Sequence, residues 1–241
     1  MKLPKKIYPD PIVSSTIEIR FKSLMEKKNI LPSFLSNFYT ELNSFEQSNI
    51  PPELKQADDI LKYYPDYTLK NDKYSLSFSD VAFAFENVSE YTLWENYSSF
   101  IFEKLKKIFE LNLIDKIDRI GLRFASLINQ TGDLNRILIN TPNISVADFD
   151  NLEFKSYSCV VSKDLFNLHL KINSNQELLA KAKERKGLLI DIDASFENKH
   201  NEDFSYHKTC EIISDLHSVE KKLFFSLLKE KFIEEELQPT Y

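Results

Sequence analysis

The chain has 241 residues, a formal net charge of −6 and a hydrophobic fraction of 42%. This composition is typical of a globular protein rather than a disordered one, and the acidic balance provides no overall field that attracts nucleic acid, although a local basic face would be enough. Only two cysteines occur and no apolar run approaches the roughly 18 residues of a membrane span, so we expect a cytoplasmic protein without a disulfide framework.

The first predicted elements, after a proline-rich arm, are a strand and a helix. Apolar and polar residues alternate from Ile12 to Phe21, which predicts a strand. From Asn29 to Phe45, apolar residues recur at spacings of three and four, which predicts an amphipathic helix. The stretch from Pro51 to Tyr64 allows a further short helix behind two prolines.

A β-hairpin is predicted next. Asn71-Asp72 lies between the alternating stretches Tyr67 to Lys70 and Lys73 to Phe78, and both turn residues tolerate the positive φ of a tight turn. The alternation changes phase at Ser79-Asp80, which indicates either a bulge or the start of another strand.

The first half of the chain ends in a second helix and a long strand. Thr92 and Glu95 have the spacing of a capping box in front of an amphipathic helix that runs from Tyr97 to about Leu113. Apolar and polar residues then alternate from Ile117 to Ile128, which predicts a strand. Residues 1–130 therefore follow the order strand, helix, strand, strand, helix, strand. This order predicts a ferredoxin-like (βαββαβ) α+β unit, an antiparallel sheet with its helices on one face.

The second half, residues 131–241, is predicted to be another β-rich α+β unit closed by a long C-terminal helix. Its elements, in order, are a connection over 132–150, a hairpin formed by 153–161 and 165–172, a lysine-rich stretch over 177–186 that allows a helical turn, a strand over 188–196 and a helix over 204–236. This unit is either a separate domain or an extension of the first sheet.

One charged strand face is the main candidate for a binding site. If three of the predicted strands share a sheet, their outward residues are Glu18, Arg20, Arg119, Gly121, Arg123, Asp191 and Asp193. Gly121 has no side chain, so another group could lie close to the backbone there. The arginines could bind phosphate or carboxylate groups and the paired aspartates could hold Mg²⁺, or the charges could neutralise one another across the strands.

A weaker candidate lies on the last helix. His207, Cys210, Ser214 and His217 share one helix face, so a zinc site with a fourth ligand from elsewhere is conceivable, but Cys210 also fits an apolar stripe. The chain has only three glycines and lacks the glycine-rich loop that cradles a nucleotide phosphate. We therefore expect no cofactor, and no residue is assigned a catalytic or metal-binding role.

Four sequence segments together resemble a known family. They are PDPIVSSTIEIRF near the N-terminus, the central RIGLRF, the later GLLIDID, and HSVEKKLFFSLL followed by a closing Pro-x-Tyr. The combination resembles a sporadically distributed prokaryotic family of proteins of about this length, to which no biochemical activity is assigned. The resemblance implies one conserved unit in a bacterial or archaeal cytoplasm and supplies no catalytic residues.

The leading functional hypothesis is a non-enzymatic binding or assembly protein. It would use the open sheet face or the C-terminal helix to hold a partner protein or to form a homodimer. The family's sporadic distribution would suit an accessory factor in a mobile or defence-related cassette. Two alternatives remain: a metal-dependent nuclease or phosphoryl-transfer enzyme that uses Asp191 and Asp193 with Arg119 and Arg123, and a nucleic-acid-binding protein that uses the arginines. We expect no membrane partner.

Overall fold

The computed structural model describes residues 3–129, 134–140, 155–180 and 183–241, and these form an α+β fold with one large sheet. The strands are β1 (Ile12–Ser23), β2 (Ser44–Gln47), β3 (Tyr67–Lys70), β4 (Tyr74–Phe78), β5 (Ala82–Asn87), β6 (Ile114–Ile128), β7 (Ser156–Lys163), β8 (Phe166–Ala180) and β9 (Lys183–Glu197). Their order in the sheet is β2-β3-β4-β5-β1-β6-β9-β8-β7. The pairings of β2 with β3, β3 with β4, β4 with β5, β5 with β1 and β7 with β8 are antiparallel. The predicted α+β class is confirmed.

Six α-helices and one 3₁₀ turn accompany the strands in the described ranges. The helices are α1 (Lys27–Phe38), α2 (Pro52–Ala57), α3 (Trp94–Glu110), α4 (Leu134–Ile137), α5 (Tyr206–Leu227) and α6 (Glu230–Glu236), and the 3₁₀ turn is Leu61–Tyr63. None of these helices is both long enough and apolar enough to cross a membrane.

The chain divides into two compact units. The first unit comprises Met1–Ser14, Arg123–Ala194 and His217–Tyr241, and the second comprises Ser15–Leu122 and Ser195–Leu216. The prediction divided the chain once, near residue 130, whereas the backbone passes between these units four times.

In the second unit, α1 and α3 pack on one face of the strands because that face carries the large apolar side chains. The rings of Phe34 in α1 and Phe78 in β4 are stacked, with centroids 4.1 Å apart, and Tyr74 stacks on Phe100 of α3 at 4.2 Å. The hydroxyl of the buried Tyr97 donates a 2.7 Å hydrogen bond to the Phe85 carbonyl, which ties α3 to β5. Packing of these aromatic rings between the helices and the sheet stabilises this unit.

The predicted turn at Asn71 and the phase change at Ser79 both join antiparallel strands in this unit. Asn71 joins β3 to β4, and its side-chain oxygen accepts 2.9 Å hydrogen bonds from the amides of Lys73 and Tyr74. Ser79 joins β4 to β5, where its amide donates a 2.8 Å hydrogen bond to the Ala82 carbonyl. The phase change near Ser79 is therefore a turn between two strands and not a bulge.

Two predictions for the helices of the second unit are wrong. The helix predicted to reach Phe45 ends at Phe38, because Phe45 lies in β2 and pairs with Leu69 of β3. The capping box is absent, because the Thr92 hydroxyl forms a 2.8 Å hydrogen bond with the Tyr74 hydroxyl and gives α3 no side-chain cap.

In the first unit, the predicted hairpin forms between β7 and β8, with Asp164 in the turn at a φ of 55°. The helical turn proposed for residues 177–186 is wrong, because its described residues belong to β8 and β9. Gly187 in β9 is required by close packing, since a Cβ atom there would lie 2.0 Å from the Ile128 carbonyl oxygen. The connection predicted for residues 132–150 lies mostly outside the described residues, apart from α4 and its flanks.

The single C-terminal helix that was predicted is instead two helices, α5 and α6. The break occurs where the backbone between them bonds to the segment around α4. The Ile139 amide donates to the Leu227 carbonyl and the Lys229 amide donates to the Ile137 carbonyl, each at 2.9 Å. These long-range hydrogen bonds replace the helical ones at the junction.

Candidate binding cleft

The seven residues of the predicted charged face divide between the two compact units. Four lie in the second unit and three in the first, as follows: Glu18, Arg20, Arg119 and Gly121 in the second, and Arg123, Asp191 and Asp193 in the first. Each group forms its own set of ion pairs.

In the second unit, Arg119 lies between two carboxylates. Its Nη1 is 3.0 Å from Oε1 of Glu18, and its Nε is 3.2 Å from Oε1 of Glu197. The guanidinium passes over Gly121, where a Cβ atom would approach Nη1 to 2.2 Å. The group that lies close to the Gly121 backbone is therefore the protein's own arginine.

Glu18 also binds the second arginine of this group. Nε of Arg20 donates a 2.6 Å hydrogen bond to Oε1 of Glu18. The Arg20 guanidinium carbon lies 4.0 Å from the centre of the Tyr63 ring, which is cation–π geometry. Both arginines of this unit are thus partly neutralised by carboxylates: the Arg119 pair joins two strands, as the ion-pair interpretation predicted, whereas the Arg20 pair lies within β1.

In the first unit, Arg123 forms a two-pronged pair with Asp191. Nε and Nη2 of Arg123 donate hydrogen bonds of 2.8 and 2.7 Å to the two carboxylate oxygens of Asp191. This contact, together with the nearby charge of Asp193, raises the pKa of Arg123. Because both Asp191 oxygens already accept hydrogen bonds from a cation, this geometry does not favour Asp191 as a magnesium ligand.

The described residues contain no cluster of three or more histidine, cysteine, aspartate or glutamate side chains that could hold a metal ion. On α5, His207, Cys210 and Ser214 line one shallow depression of the second unit. His217 belongs to the first unit, where its ring packs near Phe124 with centroids 6.1 Å apart. The four residues of the zinc hypothesis are therefore not gathered into a metal centre.

A different feature of the second unit has the shape of a binding site. Strands β1 to β5 carry a cleft of about 530 Å³ on the sheet face opposite α1 and α3. The floor consists of small side chains, and the segment around Tyr63 forms a wall. The floor residues are Thr16, Thr68, Ser75, Ser77, Ala82 and Ala84. We call this feature the polar cleft.

Strand register places the polar groups of the cleft in two rows. One row runs through Glu46, Thr68, Ser77, Ala84 and Glu18, and the other through Ser44, Lys70, Ser75, Glu86 and Thr16. Residues directly opposite each other on neighbouring strands have Cβ atoms about 4.5–5.5 Å apart. Glu86 is therefore flanked directly by Ser75 on one side and Thr16 on the other.

In the second row, one hydroxyl has no hydrogen-bond partner and one carboxylate has no ion-pair partner among the described residues. Ser75 is only 2% exposed, and its Oγ forms no hydrogen bond with any described residue. Glu86 accepts a single long hydrogen bond, 3.4 Å, from the Thr16 hydroxyl. The other carboxylates of the cleft are paired, Glu18 with Arg20 and Glu46 with Lys70. The unpaired charge of the cleft is therefore negative.

The sequence interpretation identified Glu18 and Arg20 but missed the rest of the cleft. The sequence did contain a signal for the cleft, because small residues alternate with large apolar ones along β4 and β5. The small residues are Ser75, Ser77, Ala82 and Ala84. Such alternation predicts a sheet face without bulky side chains. It does not reveal which strands are neighbours, and that arrangement is what gathers these residues into one cleft.

Comparisons with known proteins add no family assignment: a scan against protein-family models finds no match, and neither does a search of curated proteins. The resemblance to a sporadically distributed prokaryotic family stays a prediction.

Proposed function

We propose that this chain is a non-enzymatic binding protein that holds an extended segment of a partner protein in the polar cleft. The observation that carries the proposal is the buried, unpartnered hydroxyl of Ser75, a residue that lines the cleft. A buried hydroxyl without a hydrogen bond costs about 1–3 kcal/mol, and a bound ligand could supply the missing partner.

The shape of the cleft supports a peptide more than a compact metabolite. Its floor of serine, threonine and alanine side chains allows a main chain to approach the sheet closely, and the hydroxyls of Ser75 and Ser77 can bond to peptide groups. The neighbouring aromatic rings of Tyr63 and Tyr64 offer apolar contact to its side chains.

The two alternative functions have less support. The metal-dependent enzyme requires Asp191 as a ligand, but both of its carboxylate oxygens accept hydrogen bonds from Arg123. The nucleic-acid-binding protein requires arginines that can reach phosphate, but Arg119 and Arg20 are engaged by Glu18. A phosphate backbone in the polar cleft would also meet the unpaired carboxylate of Glu86.

Two finer expectations accompany this proposal. The strand order β4-β5-β1-β6, with α1 and α3 between its strands in sequence, supports a ferredoxin-like arrangement. Two free cysteines, Cys159 and Cys210, support a reducing cytoplasmic setting. Homodimer formation and a role in a mobile or defence-related cassette stay predictions.

The test is a selection of binders from an mRNA-displayed library of random peptides, followed by binding assays on a blocked variant. Ala84→Trp fills the floor of the cleft, and we expect it to abolish binding of the selected peptides. The matched control is Tyr39→Trp, which adds the same side chain at an exposed position outside the cleft lining and leaves binding unchanged.

Thermal unfolding of each variant establishes that it is folded. If Ala84→Trp does not fold, the smaller change Thr68→Gln occupies the same floor. Failure to select any peptide, or peptides that bind the blocked and wild-type proteins equally, overturns the proposal.

A further inference from the structure

We infer that Glu86, Ser75 and Thr16 form a subsite for a lysine side chain of the bound segment. This inference rests on the proposed function, because it names the chemistry that the polar cleft would recognise. It depends on three observations: the register that places the three side chains side by side, the unpartnered Ser75 hydroxyl, and the charge of Glu86.

The charges of the cleft favour a cationic ligand. Five charged side chains line it, namely Glu18, Arg20, Glu46, Lys70 and Glu86. Two ion pairs, Arg20 with Glu18 and Lys70 with Glu46, account for four of them. Glu86 has no salt bridge to any described residue, so a basic group is the complementary partner for this site.

The arrangement of acceptors favours an ammonium over a guanidinium. An ammonium has three N–H donors that point in different directions, whereas a guanidinium presents a planar fork. Glu86 provides a carboxylate, and the hydroxyl oxygens of Ser75 and Thr16 lie on opposite sides of it in the same row. An ammonium between Glu86 and Ser75 can donate to both of them, while the Thr16 hydroxyl donates to the Glu86 carboxylate and helps to orient it.

The small floor residues explain how a side chain could reach this row. Ala84 and Ser77 occupy the neighbouring row, so the main chain of a bound segment can lie over them without steric conflict. A lysine on that segment then extends across to Glu86. Lys70 stands on the far side of Ser75 and is held by Glu46, which keeps its own ammonium from occupying the subsite.

The test compares peptide pools selected from the same random library by the wild-type protein and by Glu86 variants. We expect lysine to be enriched at one position of the wild-type pool. With Glu86→Gln that enrichment disappears, and an individual lysine peptide binds about ten- to a hundredfold more weakly. With Glu86→Lys the same position becomes enriched in aspartate or glutamate.

The control variant is Glu90→Gln, which removes the same charge from the same unit at an exposed position outside the cleft lining. It should leave the lysine preference unchanged. A pool that is enriched in peptides but shows no lysine preference, or a preference that survives in Glu86→Gln, overturns the inference while the proposed function stands. A library that yields no binding peptides overturns the proposed function, and this inference with it.

Discussion

Nε and Nη2 of Arg123 bind the two carboxylate oxygens of Asp191 at 2.8 and 2.7 Å, although the two side chains differ greatly in exposure. The Asp191 side chain is 10% exposed, whereas that of Arg123 is 57% exposed. Loss of the arginine would leave a nearly buried carboxylate without its donors. Loss of the aspartate would leave a cation that water can still solvate.

We therefore predict that Arg123→Ala lowers the free energy of unfolding by about 1.5–3 kcal/mol and that Asp191→Asn lowers it less. The loss of free energy for Arg123→Lys should lie between the losses for these two variants, because one ammonium cannot bond both oxygens in parallel. Urea unfolding measures all three variants. Equal losses for Arg123→Ala and Asp191→Asn would show that exposure does not control the energy of this pair.

Gly121 provides a second prediction, because a Cβ atom there would displace the Arg119 guanidinium from its position between Glu18 and Glu197. We expect Gly121→Ala to cost about 1 kcal/mol of stability in the wild-type background. In an Arg119→Ala background the same change should be neutral or slightly stabilising, because the side chain that it displaces is gone.

A double-mutant cycle in urea measures this coupling. Gly187→Ala is the contrasting variant, since its Cβ atom would meet the backbone carbonyl of Ile128, which cannot swing aside. It should cost more than Gly121→Ala in either background. A Gly121→Ala effect that is the same with and without Arg119 would argue against the displacement.

Glu220 gives a third prediction, which concerns stability at alkaline pH. It is 6% exposed, and burial raises its pKa from 4.5 to about 8. Between these values the folded state holds a proton that the unfolded state has released, so stability falls as pH rises. Burial also lowers the pKa of His217 to about 3 from 6.5, and its opposite slope cancels that of Glu220 between pH 4.5 and 6.5.

Above pH 6.5 the histidine no longer contributes a slope, so the effect of Glu220 on stability is not cancelled. We expect wild-type stability to fall there by about 1.4 kcal/mol per pH unit toward pH 8, and Glu220→Gln to remove this slope. Urea unfolding at several pH values provides the measurement. Glu211→Gln, an exposed glutamate on the same helix, is the control and should keep the wild-type slope. A Glu220→Gln profile parallel to that of the wild type would contradict the assignment.

His217 gives the corresponding prediction at acid pH. Its imidazole is held neutral in the folded protein but is protonated in the unfolded chain below pH 6.5, so stability falls as pH drops toward 3. Below pH 4.5 the opposing slope of Glu220 has ended. We expect His217→Leu to flatten this acid limb relative to the wild type, as followed by thermal unfolding between pH 3 and 4.5. His207→Leu, on the exposed part of the same helix, should not flatten it.

The last prediction compares two serines on the floor of the polar cleft. The Ser77 hydroxyl is 2.9 Å from the Thr68 hydroxyl, whereas that of Ser75 has no partner among the described residues. Ser77→Ala should lower the free energy of unfolding by about 1 kcal/mol, and Ser75→Ala should leave it unchanged or raise it slightly. A loss at Ser75 as large as that at Ser77 would mean that its hydroxyl already has a partner in the folded protein.

The sequence alone determined the elements whose signals are local. Alternation identified β1, β6 and β9, and the Asn71-Asp72 pair identified the turn between β3 and β4, because side-chain direction and turn propensity depend on a few neighbouring residues. The same patterns identified Glu18 and Arg20 as outward residues. They also led to the α+β class, which the structure confirms.

Tertiary structure decided everything that depends on pairing between distant segments. The helical pattern toward Phe45 gave way to pairing with β3, and the long C-terminal helix was broken by hydrogen bonds to residues 137 and 139. Register alone placed Glu86 between Ser75 and Thr16, and the tertiary fold brought Arg123 to Asp191 across 68 positions of sequence. Local periodicity cannot encode such pairings, because they depend on which strands become neighbours when the core closes.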